Sequence, residues 1–186
     1  MLDTGERGGL NIVNSHGLKS RLRTAPTMDE LIIRYGCMEG PRNPTSADVC
    51  KALDDVESFA LQSEEFCIEK VSNWQPDFID GHRVIRCVRE GPYMVAGTFG
   101  LESSPVLIGW LVLFYETDKQ SYALAAPDSA ESDFVDGYYC GGPLSVRSGC
   151  LVPREMAFEA LEYFVDHHDR SPDLEWLSTS QIYRFR

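Results

Sequence analysis

The sequence has few histidines, little positive charge and no long apolar run. Its four histidines among 186 residues are His16, His82 and the adjacent pair His167 and His168. Neighbouring residues on a helix point in different directions, so the pair cannot grip one metal from a single face. Six cysteines (Cys37, Cys50, Cys67, Cys87, Cys140, Cys150) include no CxxC pair. That argues against a compact zinc site or a dense disulfide framework and predicts reduced, mostly buried thiols. The H-x-E and P-C-x-x-C signature of a zinc-dependent nucleobase deaminase is missing, as are GxxxxGK[ST] and GxSxG. Gly141-Gly-Pro-Leu-Ser145 therefore reads as a turn rather than a phosphate cradle. The most apolar stretch, Pro105 to Tyr115, has the length of a strand and not of a membrane span. Charge enters early, at Asp3, Glu6 and Arg7, without the apolar segment of a secretory signal, so a cytoplasmic protein with no membrane partner is expected. No cofactor, metal or catalytic set is expected either.

What the chain does have is acid. Twenty-nine Asp and Glu against 17 Lys and Arg give a net charge of −12, a field that repels phosphate backbones and attracts basic proteins. The first 26 residues run the other way, with Asp3 and Glu6 against Arg7, Lys19, Arg21 and Arg23. Rich in glycine and without apolar periodicity, residues 1–26 read as a flexible extension, and 27–186 as a single domain.

Within that domain, Leu31-Ile-Ile-Arg-Tyr35 predicts a strand over about 30–38, ended by Gly36, Gly40, Pro41 and Pro44. Thr45-Ser-Ala-Asp48 is a helix start, with Val49, Ala52, Leu53, Val56 and Ala60 on one face and Asp54, Asp55 and Glu57 on or near the other. The period then shortens to two. Strands are expected at Phe66 to Val71, Arg83 to Val88, Tyr93 to Phe99, Val106 to Tyr115 and Tyr122 to Ala125, with turns at Asp80-Gly81, Gly91-Pro92 and Thr117-Asp118-Lys119. Pro153 opens a second helix whose stripe is Met156, Ala157, Ala160, Leu161, Phe164 and Val165 and whose end lies near His167 and His168. The fold class is therefore α+β: an antiparallel meander of about five to seven strands packed against an N-terminal and a C-terminal helix. Trp74 and Trp176 are expected in the core.

Between Pro127 and Gly142 lies a turn-rich stretch that reads as a loop with a short edge strand. Its carboxylates Asp128, Glu131, Asp133 and Asp136 do not match the spacing of a calcium loop. They are candidates for charge complementarity with a partner, and Tyr138 and Tyr139 for aromatic anchors. Two other functions stay open: a small hydrolase using a carboxylate or a cysteine such as Cys140 or Cys150, and a small-molecule or peptide sensor.

The run Leu151-Val-Pro-Arg-Glu-Met-Ala-Phe-Glu-Ala-Leu-Glu-Tyr-Phe164, followed by Pro172-Asp-Leu-Glu-Trp176, resembles the first-numbered immunity protein family of bacterial polymorphic toxin systems. From Leu31 to Ala125 the likeness is one of element order. Where members often carry a glycine soon after the helix phenylalanine, this sequence has Asp166-His-His-Asp-Arg170. The resemblance implies a cytosolic antidote that binds a cognate basic toxin domain one-to-one and occludes its active face. Such toxins are often nucleic-acid-directed enzymes, cytidine deaminases and nucleases among them.

Overall fold

The computed structural model describes residues 30–36, 38–58, 65–79, 82–101, 107–117 and 119–184, with the backbone alone for 72–79, 82–90 and 117. The extension 1–26 and the side chain of Trp74 lie outside the described residues.

The protein is α+β, with a mostly antiparallel sheet of many strands and few helices. The first expected strand is in fact a hairpin, β1 (Glu30–Tyr35) and β2 (Met38–Arg42). Gly36 turns the chain with φ +59. Gly40 and Pro41, taken from sequence as breakers, are inside β2. An edge strand bonds on one side only, and there proline is tolerated.

After α1 (Ser46–Glu57), β3 (Glu65–Ile79) and β4 (His82–Gly100) form one long hairpin. Ile79 pairs with His82; the expected turn residues Asp80 and Gly81 lie outside the described residues. Gly91 does not turn the chain. With φ +76 it sits inside β4 near the register shift between Glu69 and Val71, a bulge that fuses two expected strands into one. The meander continues through β5 (Leu107–Thr117) and β6 (Gln120–Ala125). β7 (Phe134–Tyr139) and β8 (Gly142–Arg147) follow, then α2 (Arg154–His167), β9 (Glu175–Ser178) and the four-residue α3 (Thr179–Ile182). Spatial order is β2-β1-β3-β4-β5-β6-β9, with β7 joined to the end of β4 and paired with β8. Among the described residues no helix is long and apolar enough to cross a membrane.

Alternation along the strands separates two cores. Leu31, Ile33, Phe66, Ile68, Met94, Ala96, Trp110, Val112, Phe114 and Leu124 face α1 and α2, which contribute Val49, Leu53, Val56, Ala157, Leu161 and Phe164. Trp176 packs against this core half-buried, short of full burial, and donates its Nε1–H to the Ser171 carbonyl at 3.1 Å. On the opposite face Phe99, Leu111, Leu113, Ala123 and Ala125 meet Val146, Cys150 and Ile182.

Local chemistry sets both long helices. Thr45 Oγ1 accepts from Asp48 N and the Asp48 carboxylate accepts from Thr45 N at 2.9 Å, a closed capping box. α2 starts after Pro153 and ends at His168, which takes the left-handed position at φ +58 while its N–H donates to Phe164 O at 2.8 Å. Glycine normally fills that position. The acids of α1 are not simply solvated. Arg154 donates to Asp54 and Glu57 at 2.6 Å each, and Trp110 donates to Glu57 at 3.0 Å, tying α1, α2 and the sheet at one point.

Candidate functional site

The acidic stretch is a built turn rather than a loose loop. Ser129–Glu131 forms one 3-10 turn, entered by Asp128 in the left-handed region at φ +63, a conformation open to aspartate. Ser129 Oγ donates to the carbonyls of Ala126 and Gly149. Ser132 Oγ donates to Ser129 O at 2.8 Å and accepts from Gly149 N at 3.1 Å. Arg147 Nη1 donates to Ser132 O at 2.7 Å, and Ser148 N to Asp133 O at 2.8 Å. A side chain on Gly149 would overlap Ser129. Asp128, Glu131, Asp133 and Asp136 all remain exposed on this pinned frame. Fixed donors and acceptors below, with exposed carboxylates above, make a rigid negative edge that loses little freedom on meeting a partner.

β7 then divides its residues between two faces. Val135, Gly137 and Tyr139 turn toward the sheet, and Gly137 lies so close to Phe99 that a Cβ would collide with the ring. Phe134, Asp136 and Tyr138 fall on the outer side, where the guanidinium groups of Arg147 and Arg184 stand 4.7 and 4.4 Å from the Phe134 ring centre. The two candidate anchors are therefore on opposite faces: Tyr138 is with the acids and Tyr139 is not. A two-residue loop, Cys140-Gly141, with φ +50 and +73, closes the hairpin between paired Tyr139 and Gly142. Two left-handed residues in succession match the right-handed twist of the strands. Gly142, Pro143, Leu144 and Ser145, expected in the turn, belong to β8.

Tyr139 Oη is buried, with the Glu65 carboxylate beside it. Burial, and then the nearby Glu65 carboxylate, push its pKa well above the ordinary tyrosine range. Burial likewise raises Tyr183, helped by Tyr115 and Cys150. Tyr115 stacks on Tyr93 at 4.5 Å with the rings 2° from parallel. This tyrosine group, collected from β4, β5, β7 and the residue after α3, was not singled out from sequence. Period-two alternation placed Tyr93 and Tyr115 on one strand face each, but their pairing depends on register.

The expectation of mostly buried thiols does not hold among the described cysteines. Cys150 is buried and Cys67 half-buried, whereas Cys50 and Cys140 are exposed. Cys140 is held out by the hairpin turn and Cys50 by the polar side of α1. Burial pushes the Cys150 thiol up to about 11, against a smaller opposing pull from Arg147, so it is a poor nucleophile at neutral pH. Among the described residues no three His, Cys, Asp or Glu side chains gather as a metal-binding group. No family model matches the chain, and no curated protein or solved structure matches it at a significant level.

Proposed function

We propose that the protein is a stoichiometric antidote: a cytosolic immunity-type domain that binds one basic toxin domain and covers its active face. The observation that carries this reading is the pinned turn that displays Asp128, Glu131 and Asp133, with Asp136 and Tyr138 beside it on the outer face of β7. An enzyme that grips nucleic acid needs a basic groove, and a rigid acidic edge is steered to such a groove and competes with phosphate for it. The resemblance of the Leu151 to Trp176 segment to immunity proteins adds to this reading. A cysteine hydrolase built on Cys150 is disfavoured by the raised pKa of that thiol.

Mixing the purified protein with the basic toxin domain encoded beside its gene tests the proposal. One-to-one association and loss of toxin activity are expected, with an association rate that falls as salt rises. Neutralising the four acids together, as D128N/E131Q/D133N/D136N, should slow association about tenfold or more while leaving the fold intact. A pair that stays separate at physiological salt would refute the proposal.

A further inference from the structure

The second core is closed by more than the β7–β8 hairpin. Among the described strands β8 pairs only with β7, and its other side is met by the segment that follows β9. β9 is fixed to β6, from Tyr122 opposite Ser178 to Ala125 opposite Glu175. The chain then turns through α3, buries Ile182 in the second core and runs antiparallel to β8. Val146 lies opposite Tyr183, and Arg184 N–H donates to Ser145 O at 3.1 Å. A ring results: β4, β5, β6 and β9, then the segment at Tyr183, then β8 and β7 back to β4.

Arg147 ties this segment to the acidic turn. Its Nε–H donates to Gln181 O at 2.9 Å and an Nη1–H to Ser132 O at 2.7 Å, so one guanidinium holds two carbonyls far apart in sequence. Ser132 closes the 3-10 turn that begins at Asp128 and carries Glu131, and Asp133 follows it. Phe134, paired with Arg147 across the hairpin, has the guanidinium groups of Arg147 and Arg184 near its ring, one from β8 and one from the segment.

We propose that Arg147 is the positioning residue of the acidic edge and that residues 179–184 are the strap through which it acts. With the strap latched on β8 the edge is rigid; with the strap released the turn loosens and holds a basic partner less well. The inference rests on the binding reading above and names what keeps that site ordered. A planar guanidinium presents N–H groups in fixed directions and holds both carbonyls at once, which a lysine ammonium on its flexible stem does not. Ordering a loosened turn at each encounter costs conformational entropy, and that cost appears as faster dissociation. The charges that steer the encounter are untouched by it. The latch is also local. One bridge and one buried side chain hold the strap, so it can open while the helix-covered core stays folded.

Amide hydrogen exchange on the whole protein tests the proposal with three variants. Arg147→Lys keeps the charge and loses the double grip. Arg184→Pro removes the N–H that meets Ser145 together with the side chain, and Tyr183 before it is already extended at φ −102 and ψ 143, as a following proline requires. Arg184→Gln removes the charge and keeps that N–H. Exchange over 129–136 and 142–147 should rise about tenfold or more in R147K and R184P. In R184Q it should rise less than about threefold, because an exposed charge contributes little. α1 and α2 should keep the parent's protection in all three. An unchanged edge in R147K and R184P, or an equal rise in every element, would overturn the proposal. With the basic toxin domain encoded beside the gene as the probe, R147K should associate at the parent's rate and dissociate about threefold faster or more. Dissociation at the parent's rate from a loosened edge would sink the strap's part in recognition and leave the antidote standing. If no basic domain associates, the antidote fails, and the exchange pattern decides the strap without it.

Discussion

The two faces of the one sheet are built differently. Under α1 and α2 the contacts are large, apolar and mutually locked: Phe114 meets Phe164 edge-on at 6.1 Å and Trp176 at 6.2 Å, and Phe66 meets Trp110 at 6.5 Å. Under the β7–β8 hairpin the fully buried group is smaller and is ringed by Tyr115, Tyr139, Leu177 and Tyr183, all partly buried. A face of aliphatic and edge-on aromatic packing stabilises a fold and leaves nothing to offer a ligand. A face ringed by half-buried tyrosines buries less apolar surface and stabilises less.

That contrast is broken most sharply by Phe164→Ala, which opens a cavity in the helix-covered core. It should cost about 3–5 kcal/mol in denaturant unfolding, and a cost below about 1 kcal/mol would mean that this core is not the dominant one. Next in size is Gly137→Ala. Its methyl meets Phe99, so the hairpin must shift, at about 1–3 kcal/mol. Amide exchange should speed up in β7 and β8 while α2 keeps its protection. Uniform loosening of both faces would show that the hairpin is not a separable layer.

Alkali probes the hairpin-covered face through Cys150. Burial pushes the Cys150 thiol up to about 11 from its ordinary value near 9.0, so the folded state holds that proton more tightly than the unfolded one. The resulting stabilisation is full below pH 9 and is lost as pH climbs from about 9 through about 11. Thermal melting should fall over that window, and Cys150→Ala should flatten the fall; an unchanged slope in the variant would assign the loss to the tyrosines alone. Thr45→Ala should have the smallest effect, about 1 kcal/mol or less from the lost cap, visible as fraying of α1 with the hairpin face untouched.

Legibility in the sequence followed the range of the interactions. The capping box at Thr45 and Asp48 and the apolar stripe from Ala157 to Phe164 are specified by residues within a few positions of one another, and the structure has them where they were expected. β2 was missed because Gly40 and Pro41 disfavour a strand everywhere except at an edge. Gly91 was taken for a turn because a glycine before a proline looks the same in a bulge. At the candidate site the acids Asp128, Glu131, Asp133 and Asp136 are exposed as expected. Tyr138 and Tyr139 were grouped although strand alternation sends neighbours to opposite faces, a signal present in Phe134 to Tyr139 once that stretch is recognised as a strand.

The sequence alone determined the acid excess, the helix caps, the alternation of the strands and the placing of α2 after Pro153, since each depends on composition or on neighbours along the chain. Tertiary structure decided which residues became companions. Tyr93 met Tyr115 through strand register, Arg154 reached Asp54 and Glu57 across a helix interface, and Tyr139 was buried beside Glu65 by the closing of a hairpin over the sheet. Those contacts join positions tens of residues apart, and their geometry follows from packing and register, which no local pattern encodes.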